Sequence, residues 1–197
     1  MLLKGVRIGF AVTGSFCTFA KIIPQIETLV NEGAEVIPII SESVNQYDTR
    51  FNKAEDFKNT LQVMTGKQPI SSIVEAEPIG PKALLDILVI APCTGNTISK
   101  IANAITDSAV TMACKAHLRN MRPVVIAVST NDGLGANAKN IGVLLNMKNI
   151  YMVPFGQDDP IKKCTSLVAD FDQILPAILN AQQNCQIQPI LVCNNKI

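Results

Sequence analysis

The sequence has no tryptophan, one histidine and few charged residues, and these shortages exclude several functions. Charged residues make up 17% of the 197 residues and leave a net charge of +1. Nucleic acids and acidic membrane surfaces attract strongly basic proteins, so we expect neither as a partner. Long hydrophobic runs are missing as well, because no stretch of the sequence approaches the roughly 20 apolar residues of a membrane span.

Cysteine is present, but not in the patterns that bind metals or build a disulfide framework. The six cysteines are scattered, and no two of them form a C-x-x-C pair. Together with the single histidine, this spacing predicts no metal site. Scattered cysteines in a chain of this length are typical of a reducing compartment, so we expect a cytoplasmic location.

Short runs rich in valine and isoleucine recur through the chain. They are nearly all apolar rather than alternating, which is typical of strands buried on both faces of a parallel sheet. The runs cover residues 6–12, 36–40, 87–91, 124–128 and 150–154, and helical spacing covers residues 20–32, 53–64, 107–120, 137–147 and 170–183. This alternation predicts right-handed βαβ units in a single α/β domain, a doubly wound, mostly parallel sheet with helices on both faces.

The domain is expected to end before a C-terminal tail. Residues 1–185 hold the periodic pattern, and residues 186–197 contain the apolar patch Ile190-Leu191-Val192. This patch predicts an edge strand or an arm that docks on a partner, and a partly ordered terminus is the alternative.

Small polar residues and glycines follow the predicted strands, where ligands bind in an open parallel sheet. Four of the five loops are rich in hydroxyls, amides and glycines, and these loops carry no lysine or arginine. The five are Thr13-Gly14-Ser15-Phe16, Ser41-Glu42-Ser43, Pro92-Cys93-Thr94-Gly95-Asn96-Thr97, Ser129-Thr130-Asn131-Asp132-Gly133 and Phe155-Gly156-Gln157-Asp158-Asp159. Backbone N–H groups at helix N-termini, with hydroxyls beside them, hold a modest anion such as a monophosphate. Helix capping explains any one loop, but their convergence favours a ligand site.

Two nucleotide-binding motifs are matched in part. The run from Gly9 to Gly14 has the glycine spacing of a P-loop, but Ser15 stands where the P-loop lysine is needed, so an ATP site is rejected. A G-x-G-x-x-A match begins at Gly133, with Asp158 at the distance of a ribose-binding acid. Because this match lies outside the first βαβ unit, a nicotinamide site there is the weaker alternative.

Of three further reactive side chains, two have an alternative interpretation. His117, near the end of a predicted helix, is expected at a solvated position, with a catalytic base as the alternative. Cys93 and Cys114 are expected to be buried packing residues. Because Cys93 lies in a candidate ligand loop, contact with a cofactor is its alternative role.

Residues 84–132 resemble a known family. Between Asp86 and Asp107 the sequence follows D-x-x-V-I-A-P-x-T-x-N-T-x-x-K-I-A-x-x-x-x-D. This pattern is similar to the core of the flavoprotein family of homo-oligomeric flavin-containing cysteine decarboxylases. The opening IGFAVTGSFCTF is similar to that family's first strand and loop. The resemblance covers most of residues 5–170 and implies a Rossmann-like sheet that binds FMN.

The resemblance also implies which residues contact the cofactor. They lie in the loops after the first four strands: Thr13, Gly14, Ser15, Ser41, Pro92, Thr94, Asn96, Thr97, Ser129 and Thr130. FMN has one phosphate and a polar ribityl chain, which suits hydroxyl-rich loops without lysines.

Two departures from the family pattern argue against decarboxylation. The family's catalytic histidine before the third strand has no counterpart in VEAEPIGPKALLD, and its Pro-x-Met-Asn motif after strand four is replaced by VSTND. Flavin prenyltransferases share the fold and hold a prenyl phosphate with basic residues, for which Arg119 and Arg122 are the candidates. No catalytic base is predicted, and Asn131 and Lys100 are candidate substrate contacts.

A narrower similarity is to one component of a two-component oxidoreductase of spore-forming bacteria. It is carried by TGSFCTF, APCTGNT and STNDGLGANAKNIGVLLNMKNIYMVPFGQDDP. It implies a partner protein that carries NADP, a small-molecule substrate that loses two hydrogens on aromatisation, and the cytoplasm of a sporulating mother cell. The family implies a homo-oligomer built from trimers. The alternatives are a non-catalytic partner or regulatory module, and an FMN enzyme of the prenyltransferase or decarboxylase type.

Overall fold

The apolar runs pair side by side in one sheet in the computed structural model, which describes residues 1–193. The strands are β1 Arg7–Val12, β2 Glu35–Ile40, β3 Ile87–Cys93, β4 Val124–Thr130, β5 Ile150–Met152, β6 Phe155–Asp159 and β7 Lys163–Ala169. Their order is β2-β1-β3-β4-β7-β6, with β5 beside β4. Strands β1 to β5 are parallel to one another, so the predicted mostly parallel sheet is confirmed.

The stretch predicted as the fifth loop is a strand, so that prediction was wrong. Strand β6 is antiparallel to β7, and β7 in turn pairs antiparallel with the end of β4, where Ser129 faces Val168. The sequence of β6 is FGQDD and that of β7 is KCTSLVA. Polar residues make up the half of each strand next to the turn, so neither strand has the long apolar run by which the other strands were predicted. The sequence feature that could have predicted the hairpin is the aspartate at its turn. The Asp159 carboxylate accepts the N–H groups of Ile161 and Lys162 at 3.1 and 2.9 Å.

Helices cover both faces of the sheet, as predicted. Their bounds are α1 Phe19–Asn31, α2 Glu42–Gln46, α3 Ala54–Thr65, α4 Ile73–Ala76, α5 Gly95–Ala102, α6 Ala109–Arg119, α7 Ala138–Leu145 and α8 Ile174–Gln182. Helices α1, α3 and α8 pack together on one side, and α4 to α7 pack together on the other. This double cover buries every residue of β3. No helix within residues 1–193 has the length and apolar character that a membrane span requires.

An ion-pair cluster joins the amino ends of the three central strands. The Asp86 carboxylate accepts from Nε and Nη2 of Arg7 at 3.0 and 2.6 Å, and Nη1 of Arg122 lies 3.3 Å from it. These residues stand at or just before the starts of β1, β3 and β4. The bond from Arg7 holds the pKa of Asp86 below its usual range. The opposite, carboxyl edge of the sheet is left for the loops of the predicted site.

The chain after α8 runs back along the hairpin. The N–H of Phe155 donates to the Ile190 carbonyl at 3.0 Å, and the N–H of Val192 donates to the Phe155 carbonyl at 3.0 Å. Gly156 lies directly against the Val192 carbonyl, where a side chain would not fit. The described part of the predicted tail therefore extends the sheet beside β6. Residues 194–197, the end of that tail, lie outside the described residues.

Candidate functional site

A cleft of about 720 Å³ opens at the carboxyl edge of the sheet. Its walls come from the ends of β1, β3 and β4 and from the β6–β7 hairpin. The predicted site residues in its lining are Gly14, Ser15, Thr94, Asn96, Ser129 and Thr130. Its volume lies within the range of about 300–1,000 Å³ that is usual for small-molecule and cofactor sites. Because six of the predicted site residues line it, this cleft is the candidate functional site.

Thr13 connects the first loop to the third. Its hydroxyl donates to the Pro92 carbonyl at 2.7 Å and accepts the N–H of Thr94 at 3.0 Å. Thr13 is 1% exposed, and Pro92 is also buried. Neither of these two predicted site residues lines this cleft. Thr13 instead lines an adjoining cleft of about 200 Å³, and its hydrogen bonds fix the relative position of the two loops.

Ser15 and Ser129 meet across the floor of the cleft. Their hydroxyl oxygens lie 2.8 Å apart, and both residues line the cleft. A serine hydroxyl has one donor and two acceptor positions, so each of these groups retains hydrogen-bonding capacity beyond their mutual contact. The pair is therefore available to a polar ligand.

The amino end of α5 points its backbone at the same cleft. Thr94 precedes the helix, and no side chain caps its first turn. The first N–H groups of a helix have no partner within the helix, so those of Gly95, Asn96 and Thr97 are donors for an anion. Thr94 and Thr97 add hydroxyls, whose oxygens lie 3.3 Å apart.

A polar cluster after β4 supports this helix end. The Thr130 hydroxyl donates to the Asp132 carboxylate, which also accepts from Nδ2 of Asn137 at 2.8 Å. Asn140 Nδ2 donates to Asn137 Oδ1 at 2.9 Å and so connects the cluster to α7. A Cβ added to Gly95 would lie 2.5 to 2.7 Å from atoms of Thr130, Asn137 and Asp132. Glycine is therefore needed here for α5 to approach the cluster, and Asp132 is a site residue that was not predicted.

Ser41 lies in a neighbouring, smaller cleft of about 200 Å³. Its hydroxyl pairs with that of Ser43 at 3.0 Å. This smaller cleft shares Gly14, Thr94 and Asn96 with the larger one, and Thr97 lines it too. The structure thus divides the predicted site residues between two adjoining clefts instead of bringing them all to one.

The larger cleft contains lysines, although the predicted loops carry none. Lys21 reaches it from α1 and Lys163 from β7, together with the ring of Phe51. The Nζ of Lys163 lies 2.6 Å from the Asp158 carboxylate, and this hydrogen bond raises the pKa of Lys163 above its usual value. These residues follow no predicted strand end, and without the hairpin fold no sequence signal connects them to the cleft.

The prediction of a solvated His117 was wrong. His117 is 1% exposed, and its Nε2 lies 3.1 Å from the Pro123 carbonyl. Burial lowers its pKa to about 4. Cys93 and Cys114 are buried, as predicted, and burial raises the pKa of Cys114 to about 12. None of these three residues lines the cleft.

The other alternative candidates lie elsewhere or have partners. Arg122 belongs to the ion-pair cluster at the amino edge of the sheet, and Arg119 ends α6 at that same edge. Lys100 lines the smaller cleft but pairs with Asp107 at 2.8 Å, whereas Asn131 does line the larger cleft. The glycine match that begins at residue 133 falls in a turn that ends before α7, and its acid, Asp158, pairs with a lysine.

Comparison with known proteins identifies the family. Residues 2–182 match the model of the Flavoprotein family. The chain belongs to the Flavoprotein family. Within the described residues, no group of three or more histidine, cysteine, aspartate or glutamate side chains is arranged to hold a metal ion.

Two dipicolinate synthase B subunits are similar to this flavoprotein over nearly their whole length. It is 54% identical to the B subunit of dipicolinate synthase from Bacillus subtilis (strain 168) over 192 residues, which are 98% of this chain and 96% of the relative. The crystal structure of the dipicolinate synthase B subunit from Bacillus halodurans C matches with a TM-score of 0.90 at 47% identity, covering 98% of this chain and 99% of that chain. The FMN-dependent cysteine decarboxylase SpaF matches with a TM-score of 0.65 at 22% identity, covering 90% and 97%, a likeness of fold alone.

Proposed function

We propose that this flavoprotein is the FMN-binding B subunit of a dipicolinate synthase, which oxidises dihydrodipicolinate to dipicolinate with a separate A subunit during sporulation. The observation that carries the proposal is the 54% identity to a dipicolinate synthase B subunit over nearly all of both chains. The cleft at the carboxyl edge of the sheet supports the proposal because its donors suit a flavin mononucleotide.

The residues of the cleft fit FMN on three counts. The hydroxyls of Ser15, Thr94 and Ser129 line the cleft, and a ribityl chain is a row of hydroxyls that bonds to such groups. The uncapped amino end of α5 provides backbone N–H groups for a phosphate. Gly14 and Gly95 bring the backbone close to the cleft without side chains. These residues would hold the cofactor, with Ser41 and Thr97 in the adjoining cleft.

Oxidation of dihydrodipicolinate to dipicolinate removes two hydrogens and transfers no group. A bound flavin supplies an acceptor for the two electrons. The residues of this chain then need to bind the substrate, orient it and exclude water. They do not need to break a carbon–carbon bond. The Ser15–Ser129 contact closes the floor of the cleft, the cluster around Asp132 holds α5 in position, and the hairpin covers one side.

The side chains in the cleft favour oxidation over decarboxylation or prenyl transfer. Asp132 is occupied by Thr130 and Asn137, and Asp158 is occupied by Lys163. The single histidine is buried away from the cleft. The two arginines that were candidates for a prenyl phosphate lie at the opposite edge of the sheet, so the residues predicted for prenyl transfer are not in the cleft.

The same proposal includes the partners and the location. The A subunit carries NADP, and this chain binds none. The chain assembles with copies of itself in trimers, and the complex works in the cytoplasm of the sporulating mother cell. Residues 1–185 form the flavoprotein domain, and the described part of the tail from residue 186 lies along β6 of the same chain.

The first test is the absorbance spectrum of the purified protein, with mass spectrometry of what heat releases. Flavin bands and the mass of FMN are expected, or tight binding of added FMN by a colourless preparation. The second test adds dihydrodipicolinate to the FMN-loaded protein without oxygen, and bleaching of the flavin bands is expected. A protein that binds no FMN, or a flavin that stays oxidised throughout turnover of the two-subunit enzyme, would contradict the redox role.

A second candidate is a non-catalytic module that holds the A subunit in its active form. It is favoured by one observation: both carboxylates of the cleft are already occupied, so no side chain there is poised as a general base. In this case the activity of the A subunit requires the presence of this chain but does not require a flavin bound to it. Full activity with a variant that binds no FMN would support the module, and full activity of the A subunit alone would remove both roles.

A further inference from the structure

An arginine is held over an aromatic ring that lines the larger cleft. The Cζ atom of Arg50 lies 4.7 Å from the centre of the Phe51 ring, and Phe51 lines the cleft while half exposed. Stacking on a ring orients a guanidinium but leaves its N–H donors free to bond at the edge. Arg50 forms no ion pair with any residue of the described chain.

The nearest acid on the same loop is already engaged. The Asp48 carboxylate accepts the N–H of Ala54 at 2.9 Å, at the start of α3. Thr49 tightens the loop, because its hydroxyl accepts the N–H groups of Phe51 and Asn52 at 3.2 and 3.3 Å. The loop therefore turns Asp48 to the start of α3, and Arg50 forms no ion pair with it.

A second cation comes from the hairpin. Lys163 lines the same cleft, and its ammonium is held by Asp158 at 2.6 Å. The lysine side chain is 60% exposed, so its remaining N–H donors face solvent. One carboxylate does not use all three donors of an ammonium group. Arg50, stacked on the cleft residue Phe51, and Lys163, held by Asp158, are therefore two fixed cations on separate elements, and Lys21 of α1 also lines the cleft.

We propose that Arg50 and Lys163 each bind one carboxylate of a planar, cyclic dicarboxylate whose ring lies against Phe51. This inference rests on the proposed function, since it names the residues of this chain that recognise the substrate. Two carboxylates on one ring need two separate cations, and a fork of N–H donors on arginine suits a carboxylate. The cofactor phosphate is met by backbone groups at the amino end of α5, so neither cation is needed for it.

The test measures binding of dipicolinate, the stable pyridine-2,6-dicarboxylate, to the full-length protein with and without FMN, by calorimetry in metal-free buffer. Picolinate, which has one carboxylate, is the matched ligand. The variants are Arg50→Gln and Lys163→Gln, and their controls are Lys53→Gln on the same loop and Lys162→Gln in the same hairpin. Neither control lysine lines the cleft. FMN binding is measured separately for every variant.

Each cleft variant is expected to bind dipicolinate about tenfold more weakly, the usual effect of losing one charge-assisted hydrogen bond. Each should also lose much of the wild-type preference for dipicolinate over picolinate. Both controls should bind dipicolinate like the wild type, and FMN affinity should stay within about twofold throughout. Asp158→Asn, which keeps the lysine, should bind dipicolinate at least as tightly as the wild type.

Several results would overturn the inference. One is a wild-type protein that binds no dipicolinate, or binds picolinate equally well. Another is a loss in the cleft variants no larger than in the controls. If Asp158→Asn weakens binding as much as Lys163→Gln, the ion pair supports the fold rather than the ligand. Dipicolinate binding is measured both with and without FMN, so the two claims can fail separately. A wild-type protein that binds no FMN contradicts the proposed function and not this inference.

Discussion

The hydroxyl oxygens of Ser15 and Ser129 lie 2.8 Å apart, although 114 residues separate them in the chain. Ser15 follows β1 and Ser129 belongs to the end of β4, and β3 lies between these two strands in the sheet. The contact therefore bridges the end of β3. It closes the floor of the larger cleft and makes the first and fourth loops a single surface.

Removing either hydroxyl should weaken FMN binding. In Ser15→Ala or Ser129→Ala, one donor to the cofactor is lost and the remaining serine loses its partner. The expected effect is a three- to tenfold higher dissociation constant for FMN, or about 1 kcal/mol. Flavin fluorescence quenching measures it. Ser99→Ala, on the same helix as Asn96 but outside the larger cleft, is the control and should bind FMN like the wild type.

Two glycines of the site region should respond oppositely to alanine. In Gly95→Ala the new methyl would lie 2.5 to 2.7 Å from the cluster around Asp132, so we expect a loss of about 1–3 kcal/mol in the free energy of unfolding. In Gly142→Ala, inside α7, the methyl meets nothing within 4 Å. That change should raise the free energy of unfolding by about 0.5–1 kcal/mol, because alanine favours a helix. Denaturant titrations that gave both changes the same sign would contradict the packing at Gly95.

The burial of His117 should make the fold less stable in acid. Its pKa is about 4 in the folded chain, against about 6.5 when unfolded. As pH falls below 6.5, the unfolded chain binds a proton that the folded chain refuses, so the free energy of unfolding falls until pH reaches about 4. The expected contribution is about 2 kcal/mol between pH 7.5 and 4.5.

A His117→Gln variant isolates this effect, because it lacks the titrating ring. Its side-chain amide can still donate to the Pro123 carbonyl. The carboxylates titrate in both proteins, so the difference between the two pH profiles reports His117. The variant should be less stable than the wild type at pH 7.5 and should lose less stability on acidification. Parallel profiles would mean that the ring is not buried in its neutral form.

Gln186 should hold the tail on the sheet edge. Its side-chain amide accepts the N–H of Met152 at 2.7 Å and donates to the carbonyl of the same residue at 2.7 Å. In Gln186→Ala both backbone groups lose their partner, a local cost of about 1–3 kcal/mol. The Phe155 amide, which bonds to the tail, should then exchange its hydrogen about tenfold faster. Gln183→Ala, at an exposed position after α8, is the control, and an equal rate in both variants would contradict this role.

The sheet was predictable because its central strands are apolar on both faces. A strand covered by helices has no solvent side, so β3 and β4 read as uninterrupted valine and isoleucine runs. The hairpin was missed for the opposite reason. Its strands are exposed and polar next to the turn, where Asp158 and Lys163 lie, and buried only at their far ends, so no hydrophobic period distinguishes them from a loop.

The candidate site was predictable where it depends on strand ends and not where it depends on distant elements. Parallel strands end at one edge, which is why Ser15, Thr94 and Ser129 lie in one cleft. Position along a strand does not say which way a side chain faces. Thr13, whose hydroxyl donates to the Pro92 carbonyl, and Ser41 both line the smaller cleft instead.

The sequence by itself therefore determined the order of buried strands and helices, the edge at which the candidate cleft opens and the membership of a family. Those features depend on local hydrophobic period and on short runs of residues. Only the tertiary structure decided which side chains from distant segments face the cleft. Phe51 and Lys163 both line it, although more than a hundred residues separate them in the chain. It also decided that His117 is buried, because burial depends on which elements pack over a side chain rather than on the residues beside it in the chain.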